Sequence, residues 1–119
     1  NNTITEGLVA WFPLNGNGTD AITGAPGTNN GATPTANSQG VDGRAMSFNG
    51  TTNFIRIENR PEIGNLTNNV SISIWLNKAD TTTTQSLFSA TRIATANGLA
   101  TGAIAGGTVR FTTLGVRDY

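Results

Sequence analysis

The chain contains no cysteine and no histidine. The first absence excludes disulfide bridges, thiolate metal sites and cysteine nucleophiles. The second excludes histidine general bases, histidine-based triads and zinc sites of the usual kind. Charge is also scarce. Charged residues make up 12% of the 119 residues, against roughly 25% in an average globular protein. The formal net charge is zero, 7 Lys and Arg against 7 Asp and Glu. The basic residues are spread along the chain rather than clustered, so no face is expected to neutralise phosphates, and nucleic-acid binding is not expected. No apolar run approaches the ~18 residues that a membrane-spanning helix needs, so no membrane insertion of that kind is expected.

Threonine, asparagine and glycine occupy the vacated positions, with 20 Thr, 15 Asn and 15 Gly. Thr is β-branched and packs well on a pleated surface. Asn and Gly supply turn conformations. Strong helix formers are few, and no window carries an apolar period of 3.6 residues. The length suits a single domain spanning residues 1–119.

The apolar run Leu8-Val9-Ala10-Trp11-Phe12, closed by Pro13, reads as a strand covered on both faces. Residues 14–43 are almost wholly small and polar. A bare loop of that length is uncommon in a compact domain, so short extended pieces near Asn30 to Thr33 are expected to pair at a sheet edge. Ala45 to Phe48 reads as a strand, and Asn49-Gly50 as a tight hairpin turn. Phe54 to Glu58 is a further strand, and residues 59–69 a loop around Pro61 and Gly64. Val70-Ser71-Ile72-Ser73-Ile74-Trp75-Leu76 alternates strictly. It reads as a half-buried strand with Ile72 and Ile74 inside. Ser86 to Ala90 and Thr108 to Leu114 read as strands, and residues 91–107 as weakly patterned. Many short strands between turns indicate an all-β sandwich or barrel.

Several phrases resemble one family. Gly7-Leu8-Val9-Ala10-Trp11-Phe12-Pro13-Leu14-Asn15-Gly16-Asn17 is similar to a G-L-V-A-Y-[WYF]-P-F-[DN]-G-N opening. Asn29-Asn30-Gly31-Ala32-Thr33, Gly43-Arg44-Ala45-Met46-Ser47-Phe48-Asn49-Gly50 and Val70 to Leu76 follow in the family's order. Together they resemble the laminin-G-like, concanavalin A-like lectin-glucanase domains. The resemblance implies an antiparallel jelly-roll β-sandwich. Such domains are usually longer and carry a W-x-H-[VI]-A strand and a Y-[VI]-[DN]-G hairpin in their second half. Neither phrase occurs here. The chain is therefore expected to supply the N-terminal portion of a sandwich, with later strands missing and an apolar face or strand edge left bare.

Candidate chemistry is thin. Glycosidases of this architecture use paired carboxylates. Here Glu58 and Glu62 flank Arg60-Pro61 in a loop, so no catalytic role is expected and the chain reads as non-enzymatic. Asn15, Asn17 and Asp20 are oxygen donors closely spaced in a glycine-rich turn, which suits calcium. The resemblance adds Asn49, in the turn where the family often has Asp, and implies a structural calcium ion (Ca2+). The competing expectation is a turn held by Asn side chains bonded to the backbone. Trp75 lies opposite Ile72 and Ile74 on its strand, where a flat apolar ring would suit a sugar face. The competing expectation is that loops cover this face and that Trp11 and Trp75 both pack structurally.

Three functions follow as expectations. The first is a non-catalytic binding or adhesion module at the cell surface or outside the cell, recognising carbohydrate or a cell-surface protein as part of a larger protein. The second is a structural or assembly domain of a surface filament, pilus or virion fibre, packed on neighbouring copies. The third is an accessory domain of a polysaccharide-degrading enzyme.

Overall fold

The computed structural model describes residues 6–58, 60–64, 71–79, 82–90, 100–105 and 108–112. Among them, regular structure is almost entirely antiparallel strand, with a single helical turn. The all-β expectation holds at that level. The chain divides into two compact units, residues 1–63 and 64–119.

The first unit contains two nested ladders. β1 (Thr28–Asn30) pairs with β4 (Phe54–Arg56), and β2 (Thr33–Thr35) pairs with β3 (Ala45–Ser47). Thr33 faces Ser47, and Asn30 faces Phe54. The two residues 31 and 32 therefore stand opposite the six residues 48–53, which must loop out between the ladders. This is why Asn49-Gly50 does not form the expected two-residue hairpin: β3 and β4 each pair elsewhere. The short pieces expected near Asn30 to Thr33 do pair, as β1 and β2. Pro34 lies in β2, opposite Met46. A residue without an N–H suits a strand whose other edge bears no partner among the described residues.

Buried apolar side chains in the described residues are few, Ala32 and Met46. Close backbone approach supplements them. Gly27 N–H donates to Gly18 O at 2.9 Å. A Cβ on Gly18 would lie 2.6 Å from Ile55 Cγ2, and one on Gly27 only 2.7 Å from Gly18 O. Both positions need glycine for space. At Gly31 the need is conformational as well, with φ +78° and Asn53 Nδ2 2.5 Å from where a Cβ would stand. α1 (Pro61–Gly64) begins with proline, whose missing N–H costs nothing in a first helical turn.

The second unit contains a three-stranded antiparallel sheet in the order β5 (Gln85–Ala90), β6 (Ala100–Ala105), β7 (Thr108–Thr112). The β5–β6 register shifts between Ser86 and Phe88. β5 and the whole of β7 match the sequence reading; residues 113–114 of the expected strand lie outside the described residues. β6 was not expected, since its Ala, Gly and Thr residues carry little apolar alternation. The sequence between the paired Ala105 and Thr108 is Gly106-Gly107, the residue type that two-residue hairpin loops favour.

Two expected strands are not strands here. Residues 8–12 form no ladder, and Trp11 is exposed rather than covered on both faces. Residues 71–76 likewise join no sheet, and Ile72 and Ile74 are each 44% exposed rather than buried. Val70 lies outside the described residues. Alternation prepares a segment for a sheet, but only a partner strand can satisfy its backbone groups. No described residue supplies that partner to residues 71–76.

Gly27→Ala should lower stability by about 1–3 kcal/mol, the usual cost of forcing atoms into a filled site. Urea unfolding of the single variant and of Gly27→Ala combined with Ile55→Ala measures it. The Ile55 truncation should recover part of the loss, because it removes one of the three atoms the new Cβ meets.

Candidate functional site

Asp20 is the one fully buried ionisable side chain among the described residues, with 0% exposure. Residues around it are bent by backbone bonds: Asp20 N–H donates to Ala25 O, and Gly24 N–H donates to Asp20 O. Ala21 N–H donates to Trp11 O, so the 8–12 segment is tied to this turn rather than to a sheet. The side chain then collects four donors. Oδ1 accepts from Trp11 N–H at 2.9 Å and from Ile22 N–H at 3.0 Å. Oδ2 accepts from Thr23 Oγ1 at 2.8 Å and from Arg60 Nη2 at 2.6 Å.

Arg60 stands immediately before α1, and its side chain is only 7% exposed. It also donates through Nε to Glu62. Its Nη1 is buried without a hydrogen-bond partner among the described residues. A buried charge is tolerable only when paired, and here each ion supplies the other's counter-charge. Burial by itself pushes the Asp20 carboxyl up. The hydrogen bonds from Trp11, Ile22, Thr23 and Arg60 outweigh it and hold the group well below the usual carboxylate range. Glu62 is also lowered, first by its own backbone N–H and then by Arg60. The bonds to Glu62 and Asp20 raise Arg60.

The expected calcium donors are differently engaged. Both Asp20 oxygens are filled by protein donors, one of them a cation. Asn17 Oδ1 accepts from Thr19 N–H at 3.0 Å. Asn49 Oδ1 accepts from the N–H groups of Thr51, Thr52 and Asn53 at 3.0, 2.9 and 3.0 Å. Asn15 is exposed at the turn closed by Gly16 N–H to Leu14 O. Calcium needs oxygen lone pairs that no donor has claimed. Asp20 and Asn49 are thus engaged by protein donors, in side-chain-to-backbone turn bonds of the kind the competing expectation describes. Among the described residues, no group of three or more Asp and Glu is placed to hold a metal.

The two carboxylates weighed for catalysis are also committed. Glu58 lies 3.7 Å from Arg56 in a solvent-exposed ion pair, and Glu62 binds Arg60. Neither is paired with another carboxylate. The sequence reading assigns no role to Arg60 or Thr23, the two side chains that bind Asp20 Oδ2. The only available signal for Arg60 was a cation just before proline in a chain poor in charge.

Trp75 is the most exposed large hydrophobic side chain among the described residues, at 93%. Ile72, Ile74 and Leu76 are exposed beside it in sequence. The segment is tied at its end, where Lys78 Nζ donates to Thr83 O at 2.6 Å.

The Asp20 shift fixes a pH dependence. A depressed folded-state value means that stability is complete above the unfolded value, about 3.9. It is lost as the pH falls through the lower folded value. Asp20→Asn should cost on the order of 3–5 kcal/mol at neutral pH, the range for breaking a buried pair. It should also flatten the decline in stability below about pH 4. Urea midpoints measured from pH 2.5 to 7, roughly the span over which carboxylates titrate, check both effects. Comparison of the chain with protein-family models, curated proteins and solved structures returned no match.

Proposed function

We propose that this chain is a non-catalytic recognition module of a larger extracellular or cell-surface protein, built on a jelly-roll-type sandwich and contacting carbohydrate through Trp75. The observation that carries the reading is the 93% exposure of Trp75. An indole left in water forgoes a large burial free energy, and its flat face suits the C–H-rich face of a pyranose ring. Exposed Asn and Thr side chains around the loops provide hydrogen-bond donors and acceptors for hydroxyl groups. The engagement of Asp20, Glu58 and Glu62 in ion pairs supports a binding role rather than hydrolysis. An appendage of a polysaccharide-degrading enzyme would use the same surface.

The test is affinity electrophoresis in gels containing soluble polysaccharides, one polymer per gel. Migration should be retarded by at least one polymer. Trp75→Ala should abolish the retardation, and Trp11→Ala should leave it. Retardation by none, or no effect of Trp75→Ala, contradicts carbohydrate recognition.

A second reading, assembly into a surface structure, is favoured by the exposure of Ile72, Ile74 and Leu76 alongside Trp75. Alternating apolar residues without a sheet partner suit a strand that another protein completes. In that case the chain self-associates in sedimentation velocity, and the double variant Ile72→Ser, Ile74→Ser sediments as a monomer. A monomeric parent chain counts against assembly between copies.

A further inference from the structure

The loop between β3 and β4 holds one asparagine in an unusual setting. Asn49 Oδ1 accepts three backbone N–H groups, from Thr51, Thr52 and Asn53, all within 2.9–3.0 Å. Its Nδ2 donates to Thr52 Oγ1 at 2.9 Å. Asn53 Oδ1 accepts from Asn49 N–H at 2.9 Å and fixes the start of the loop. The next residue is Gly50, exposed, at φ +73°. Its N–H has no acceptor among the described residues.

The three donors already meet the resting amide oxygen, and their hold strengthens if charge develops on that oxygen without moving it out of their reach. We propose that Asn49 is a self-modification site, where the folded loop promotes cyclisation of Asn49 with Gly50 to a succinimide and its hydrolysis to aspartate or isoaspartate. Hydroxide takes the Gly50 N–H proton, and the nitrogen forms a bond to Asn49 Cγ. The carbonyl π pair moves onto Oδ1, where the three N–H groups hold the charge. Collapse restores the carbonyl and breaks the Cγ–Nδ2 bond. Nδ2 takes a proton from water by way of the adjacent Thr52 hydroxyl and leaves as ammonia. Water then opens the imide at either carbonyl. The net change is one water consumed and one ammonia released, with no oxidant or reductant.

The other described Asn-Gly pairs lack this combination. Gly16 N–H is bonded to Leu14 O. Asn17 Oδ1 has one donor, and Gly18 is buried. Asn30 donates through Nδ2 to Thr52 O, and no donor reaches its Oδ1. Small-residue access alone would make all four alike. The oxyanion donors single out Asn49. The product carboxylate would inherit the same three N–H groups, a setting that stabilises an anion.

Trypsin separates the sites cleanly. Cleavage after Arg44 and Arg56 puts Asn49 in the peptide Ala45 to Arg56, and Asn15, Asn17 and Asn30 in the peptide ending at Arg44. The intact folded chain is aged in mildly alkaline buffer and sampled by peptide mapping with isoaspartate-sensitive fragmentation. The synthetic Ala45 to Arg56 peptide and the urea-unfolded chain are aged in parallel. Asn49 should convert before the other three sites, and about tenfold faster in the folded chain than in the peptide, a modest share of what oxyanion donors contribute in enzymes. Conversion in the folded chain that is equal to or slower than in the peptide overturns the proposal. So does earlier conversion at Asn15, Asn17 or Asn30.

Discussion

A buried carboxylate that must stay ionised organises the first unit. Asp20 is removed from water, so every lone pair it presents needs a donor from the protein. Those donors come from four places: Trp11 ahead of it, Ile22 and Thr23 just after it, and Arg60 forty positions on. Satisfying one side chain thus fixes the entry segment, the following turn and the approach to α1 together. The arrangement is demanding, because loss of any donor leaves charge or polarity stranded in a dry site.

Asparagine does the comparable work at the surface. Asn29 clamps Ala32 through both its N–H and its carbonyl, Asn37 Oδ1 accepts from Gln39 and Val41, and Asn49 gathers three N–H groups. A unit whose described apolar core is Ala32 and Met46 has little hydrophobic burial to hold its loops. Local side-chain-to-backbone bonds supply the missing order. They also explain why a chain so poor in charge and large aliphatics can build nested ladders from strands of three residues.

What was legible in the sequence follows the range of the interaction. Turn chemistry is local, so the Asn- and Gly-rich segment 14–43 was read as more than a linker, and β1 and β2 lie within it. β5 and β7 carried enough pattern to be found. β6 did not, because Ala100 to Ala105 is a strand by virtue of its two neighbours rather than its own side chains. The opposite error occurred at residues 71–76, where a faultless alternation found no partner among the described residues. Asp20 was singled out, but as an oxygen ligand for a cation. The cation is a guanidinium, and a pairing across forty residues leaves no trace in local spacing. Trp75 was placed opposite Ile72 and Ile74 on a sheet; both it and they stand exposed.

The central claim is that Asp20 is ionised, buried and held by its four donors. The most direct measurement is a pH titration of the Asp20 side-chain carboxyl by carbon-13 NMR in the intact folded chain. The account requires no titration step near the ordinary aspartate value of about 3.9, and only the onset of one at the acid limit of the folded state. The Trp11 and Ile22 amide shifts should stay flat over the same range. A carboxyl that titrates at the ordinary value, with those two amides following it, would show that Asp20 is open to water and would contradict the account.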